Sequence, residues 1–135
     1  MHRIIEMFDK NVNINELNGS VLAYLGDNVF ELFVRTKLVL EKQRKLKELN
    51  DEAKNYVKAS MQADAYKRIE SMLTEEEIEI YKRGRNTNGN ISSKSATAVD
   101  YRMATGLETL VGYLYLKEDY DRLIFIMKKI LDNNK

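Results

Sequence analysis

No proline interrupts any of the 135 residues, and the apolar positions recur at intervals of three and four rather than alternating. A backbone without proline keeps every amide donor, so helices can propagate anywhere, and a 3.6-residue period gives each helix a face to bury. The sequence therefore predicts an all-α fold, a bundle of five to seven helices around one core. At 15.8 kDa the chain suits one domain over residues 1–135. No internal repeat, low-complexity tract or linker rich in Ser, Gly or Pro divides it.

Composition narrows the chemistry further. Hydrophobic residues make up 44% and charged residues 32% of the chain, a globular balance. No apolar run approaches the roughly 18 residues that span a bilayer, and the N-terminus lacks the features of a secretory signal. The expectation is a cytoplasmic protein with no membrane partner. Cysteine is absent and the one histidine is His2, near the terminus. Disulfides, thiolate nucleophiles and Cys/His zinc sites are thereby excluded. Any catalytic machinery must be built from carboxylates, amides, hydroxyls and bases, and carboxylates select hard cations such as Mg²⁺.

Net charge is only +1, but its distribution is uneven. Six bases face one acid from Arg35 to Lys47, nine acids face four bases from Glu48 to Glu79, and four bases with no acid run from Lys82 to Lys94. The last of these stretches, "YKRGRNTNGNISSK", offers guanidinium, ammonium, amide and hydroxyl groups on a glycine-jointed segment, the chemistry that phosphate contacts need. A solvated, helix-terminating loop would have the same composition.

Helical spacing is strongest from about Ser20 to Leu40, through Leu22, Leu25, Val29, Leu32 and Phe33. Val21, Tyr24, Phe30, Val34 and Leu38 widen this stripe over most of the circumference, which predicts a deep helix covered on several sides. Tyr24 and Phe30 are each either core or part of a contact between subunits, and core is the expectation for one taken alone. A second helical region begins near Asn50, with a break near Ser60. "LTEEEIEIYKRG" forms a short helix of its own: Thr74 caps it, Glu77 completes a capping box, and Lys82, Arg83 and Gly84 close it. After a polar loop with an Asn-Gly turn, Thr97 and Asp100 open a helix carrying Met103, Leu107, Leu110, Val111 and Leu114. The last helix runs from about Asp119 to Leu131.

Two features resist a purely structural account. The buried helix carries glycine and aspartate in "YLGDNVFELFVR", although helical glycine costs about 1 kcal/mol relative to alanine and an uncompensated buried carboxylate costs more. A close-passing backbone would explain Gly26. Helical geometry puts Asp27 beside Ala23, Tyr24, Phe30 and Glu31, at the margin of the apolar stripe where a carboxylate can face a cleft. Asp27 is then either a partly solvated residue paired with a base or half of a functional pair. The later helix repeats the anomaly in "ATGLETLVGYLYL", where small residues and Gly112 surround Glu108. Asp27 and Glu108 together could hold a divalent cation, which would offset the cost of each acid.

These segments resemble the ribonuclease III family. "LAYLGDNVFEL" is similar to its signature helix, in which a carboxylate follows Leu-Gly, and "ATGLETLVGYLYL" to its second acidic helix. "TEEEIEIYKRGRN" followed by a polar loop and "YRMATGLETLVGYLYL" resembles the compact Mini-ribonuclease III branch, and the likeness runs from about Leu17 to Leu123. The resemblance implies an all-helical ribonuclease III-type endonuclease domain without a double-stranded-RNA-binding domain. It implies a homodimer that cleaves both strands of double-stranded RNA with Mg²⁺, or Mn²⁺ in its place. Asp27 matches the catalytic aspartate and Glu108 the metal-ligating glutamate. The branch is associated with maturing the ends of precursor 23S ribosomal RNA, with a ribosomal protein as a further candidate partner. Ser20 stands where the full-length family has a glutamate, and Thr105 where it has an aspartate; each could still orient water around the metal. Arg83, Arg85, Asn86, Lys94 and Arg102 are the expected contacts to the RNA backbone. The same fold could instead serve as an RNA-binding module without catalysis, or as a helical adaptor whose acids pair with neighbouring bases.

Overall fold

Helix-permissive sequence becomes seven α-helices in the computed structural model, which describes residues 2–87 and 96–132. They are α1 (His2–Glu6), α2 (Gly19–Glu41), α3 (Leu46–Val57), α4 (Ala59–Ile69), α5 (Glu75–Arg85), α6 (Ala96–Leu116) and α7 (Tyr120–Leu131). Two single 3₁₀ turns, Ile14–Glu16 and Glu70–Met72, complete the order, and no strand occurs among the described residues. The all-α expectation holds.

Local chemistry sets the helix boundaries. Asn18 caps α2, its Oδ1 accepting from the amide of Val21 at 3.0 Å. The predicted capping box on α5 forms: Thr74 Oγ1 accepts from the Glu77 amide at 3.1 Å, and Glu77 Oε1 from the Thr74 amide at 2.9 Å. The second helical region begins at Leu46, earlier than expected, and breaks at Lys58, whose extended backbone separates α3 from α4. Between α6 and α7 the chain turns through Glu118, at φ 61°. The amides of Glu118 and Asp119 donate to the carbonyls of Tyr115 and Leu114, both at 3.0 Å, in the Schellman pattern that usually places glycine here. The predicted Asn-Gly turn lies outside the described residues.

α6 is the central element, and α2, α4, α5 and α7 pack around it. Leu107, Leu110 and Val111 are fully buried, and from α2 Leu22, Phe30, Val34 and Leu38 meet them. The crossing of α2 and α6 is set by glycine. A Cβ at Gly26 would be driven into the main-chain carbonyl of Glu108 and would lie 2.8 Å from the amide of Gly112; a Cβ at Gly112 would strike the carbonyl of Leu22. The close-passing backbone inferred for Gly26 is therefore α6.

Burial of α2 departs from the sequence expectation. Phe30 is core at 1% exposure, but Tyr24 is 79% exposed, and Val21, Leu32, Val39 and Leu40 also face outward. The helix is covered along the side that meets α6, and its outer apolar residues are exposed among the described residues. Core was thus the wrong expectation for Tyr24.

Away from the central crossing, an ion pair secures α7. Arg122 donates from Nε to Glu77 Oε2 at 2.7 Å and from a terminal nitrogen to Glu77 Oε1 at 2.8 Å, a two-pronged pair around a carboxylate that is only 6% exposed. Burial alone would raise that carboxyl, but the Arg122 guanidinium and the bonds from Thr74 outweigh it and hold it below its ordinary value.

The glycine crossing gives a direct expectation. Gly26→Ala must push α2 off α6, since the obstacle is the rigid backbone of Glu108 and Gly112, so urea unfolding should show destabilisation of about 3 kcal/mol or more. A loss below about 1 kcal/mol would mean the helices cross less closely than described.

Candidate active site at the crossing of two helices

The two glycines bring two acids together. Asp27 follows Gly26 on α2, and Glu108 lies one turn before Gly112 on α6, so the approach that clears both Cβ positions sets the carboxyls side by side. They are close enough to share a hydrogen bond. Asp27 is exposed and Glu108 half-buried. The buried amide of Gln62, on α4, donates from Nε2 to Glu108 Oε2 at 3.2 Å.

No base neutralises either acid in an ion pair among the described residues. Desolvation and the Asp27 charge push the Glu108 carboxyl up to about 7, against the lowering effect of the Gln62 bond, and the more distant Glu31 adds to the rise. Glu31 is itself occupied by Arg35, whose Nε donates to its Oε2 at 3.0 Å. An adaptor's acids would have bases beside them; these have each other. No cluster of three or more acids or histidines able to hold a metal occurs among the described residues, so the donor set is the pair. Two hard oxygen donors in contact, with unrelieved negative charge, fit Mg²⁺, which keeps most of its positions for water and phosphate oxygens.

The other expected site residues are distributed differently. Ser20 Oγ donates to Asn18 Oδ1 at 2.8 Å within the α2 cap, two turns from Asp27. Thr105 Oγ1 donates to the carbonyl of Tyr101 at 3.0 Å, one turn before Glu108. Arg83 donates to the carbonyls of Asn15 and Leu17 at 3.0 and 2.9 Å, tying α5 to the segment before α2. At the end of α5, Arg85 donates from Nε to Asn86 Oδ1 at 3.2 Å and sits 5.9 Å from the Tyr81 ring centre. Arg102 is half-buried on α6, and Lys94 lies outside the described residues. Much of the basic run from Arg35 to Lys47 is paired locally: Arg35 with Glu31, Lys37 and Arg44 with Glu41, and Lys47 with Asp51.

Sequence reasoning missed Gln62, and it placed Glu31 beside Asp27 without giving it a role. Gln62 shares the i, i+4, i+7 register of the buried Tyr66 and Ile69, and a carboxamide in a core register was the available signal. Glu31 lies one turn beyond Asp27 on the same face of α2.

Comparison with known proteins bears directly on this arrangement. The family model for the ribonuclease III domain matches residues 20–119, which include both acidic helices. The chain belongs to the ribonuclease III family. Its relatives include a Mini-ribonuclease 3 from Clostridium tetani, 44% identical over 128 residues that cover 94% of this chain and 84% of the relative. A Mini-ribonuclease 3 from Streptococcus pneumoniae is 45% identical over 83% of this chain and 89% of its own. A crystal structure of a Fusobacterium nucleatum protein superposes with a TM-score of 0.78 at 32% identity, covering 90% of this chain and 98% of that one. The chain is accordingly an endoribonuclease, and the substrate of ribonuclease III enzymes is double-stranded RNA. Among the described residues no helix is long and apolar enough to cross a membrane.

The raised Glu108 carboxyl makes the stability of this ribonuclease III domain pH-dependent. Without metal, the folded state retains a proton that the unfolded chain loses above about 4.5, so this contribution is complete below that pH and is lost as pH rises through about 7. Glu108→Gln removes the penalty of ionising the site. In EDTA at pH 8 its denaturation should show a gain of about 1–3 kcal/mol over the parent chain, and the difference should vanish near pH 4. Equal stability at both pH values would mean Glu108 ionises without strain.

Proposed function

We propose that the chain is a Mg²⁺-dependent endoribonuclease that cuts both strands of double-stranded RNA and matures the ends of precursor 23S ribosomal RNA in the cytoplasm. The observation that carries this reading is the approach of Asp27 to Glu108 at the glycine crossing, two acids that no base neutralises in an ion pair among the described residues. Asp27 and Glu108 are the residues that would hold the cation, with Mn²⁺ able to replace Mg²⁺. When bound, the cation supplies Lewis-acid activation of water and neutralises charge at the departing oxygen.

The protein's own contribution is orientation and charge. Asp27, at the solvent edge, reaches toward the phosphodiester, while the half-buried Glu108 is held from behind by α4. Thr105 and Ser20 act as supporting hydroxyl groups, Thr105 being the nearer to Glu108 in the chain. Arg85, Asn86, Lys94 and Arg102 contact phosphates and 2′-hydroxyls along the A-form duplex, where side chains cannot read the deep major groove. Arg83, engaged with two carbonyls, contributes its positive charge to that surface rather than a free guanidinium.

A homodimer would supply one site per strand. Val21, Tyr24 and Leu32, at 46%, 79% and 49% exposure, form an outward apolar face on α2. That face lies about 60° of helix turn from Asp27 at Tyr24, so a two-fold contact through it would set the two acid pairs near one another. A ribosomal protein that presents the precursor RNA is the further partner in this reading.

Two measurements test the proposal. Long double-stranded RNA should be cut in Mg²⁺ but not in EDTA, and Asp27→Asn should lower the rate by at least about a hundredfold while leaving the circular dichroism unchanged. A folded parent chain that binds this RNA and never cuts it with any divalent metal would sink the nuclease reading. For the dimer, sedimentation should give two subunits for the parent chain and one for Tyr24→Asp, a charge placed in the centre of the apolar face. A dimer that survives this substitution would locate the contact elsewhere.

A further inference from the structure

Gln62 occupies a position that packing alone would give to an apolar residue. It is 2% exposed on α4, in register with the buried Tyr66 and Ile69 and next to the buried Ala63. Burying a carboxamide is costly unless it is hydrogen-bonded, and its Nε2 donates to Glu108 Oε2 at 3.2 Å. α4, which packs on the acidic helix, thus also reaches that helix's functional carboxylate through one polar side chain.

We propose that Gln62 is a positioning residue for the metal site, fixing the Glu108 carboxylate through a neutral donor. This rests on the reading of Asp27 and Glu108 as cation ligands. A glutamate side chain has three rotatable torsions, and an anchored Oε2 restricts them, so the carboxylate is held rather than free to swing.

The neutrality of the donor is the central point. A lysine at this position would form an ion pair with Glu108 and compete with the cation, whereas a carboxylate would add a third negative charge beside two that already repel. Alanine or serine would not reach across from α4. A carboxamide orients Glu108 while leaving its charge for the metal, which suits a site built from only two acids.

The test is Mn²⁺ binding to the full chain without RNA, read from the free-ion electron paramagnetic resonance signal. Gln62→Met keeps approximate volume and removes the donor; it should weaken Mn²⁺ binding about tenfold. RNA affinity in EDTA should stay within about twofold of the parent, a readout that general damage to the fold would move. Should Gln62→Met fail to fold, Gln62→Asn keeps the amide, shortens its reach by one methylene and should show the same weakening. A folded Gln62 variant with parental Mn²⁺ affinity, in a protein where Glu108→Gln abolishes binding, overturns the role of Gln62 and leaves the metal site standing. If the parent chain itself binds no Mn²⁺, the metal-site reading fails and this inference with it.

Discussion

The backbone contact between α2 and α6 is the constraint on which the remainder of the molecule depends. Ordinary helix pairs are held apart by side chains at about 8–10 Å, but Gly26 and Gly112 let carbonyls and amides of the two helices meet directly. Once that spacing is fixed, the surroundings follow. Leu22, Phe30, Val34 and Leu38 close on Leu107, Leu110 and Val111 along the same seam, and Thr109, fully buried on α6, reaches the carbonyl of Gly19 at 3.0 Å. The acids stand beside the glycines, so the contact that organises the core also brings two negative charges together.

Packing and electrostatics therefore oppose one another at this point. Apolar burial favours the close crossing, while desolvation and mutual repulsion penalise an ionised Glu108 in the metal-free chain. Elsewhere the protein satisfies its buried charge internally: Glu77, equally a helix-borne carboxylate, is met by Arg122 and by the backbone of its own cap. The contrast between the two acids is informative. One is neutralised by the chain; the other has a carboxylate and a neutral amide for neighbours. On the proposed reading, what Glu108 lacks is supplied by a cation, and the strain in the metal-free state is part of the affinity for it.

Much of this was legible from residue spacing because it depended on local rules. The all-α class followed from helical periodicity without proline, and Thr74 with Glu77 announced the start of α5 through chemistry confined to four residues. Gly26 announced a close approach because helical glycine needs a reason, although the identity of the approaching element could not be read from one segment. Tertiary context decided the rest. Tyr24 and Phe30 lie on one apolar-rich helix, yet only the position of α6 makes Phe30 core and leaves Tyr24 outside. The break expected near Ser60 falls at Lys58, with no proline or glycine to fix its exact place. Gln62 was hidden because a single glutamine among alanines looks like surface until its register with Tyr66 and Ile69 is taken into account.

Charge patterning was the least transferable signal. The basic run from Arg35 to Lys47 looks like an electrostatic footprint when counted along the chain, but Glu31, Glu41 and Asp51 neutralise most of it within one helical turn. Such pairs leave little net field for a polyanion to follow. The stretch after Ile80 differs because it has no acids of its own, and α5 ends there with its C-terminal dipole favouring the very bases that a duplex would need. Even there one base is diverted: Arg83 fastens α5 to the segment leading into α2. The proposed RNA grip then falls to Arg85, Asn86, Lys94 and Arg102, few enough that a single chain would hold a duplex weakly. Pairing two chains through the apolar face around Tyr24 would double that charge without adding a basic residue, and a salt-dependent grip spread over two subunits is how a chain with a net charge of +1 could hold double-stranded RNA.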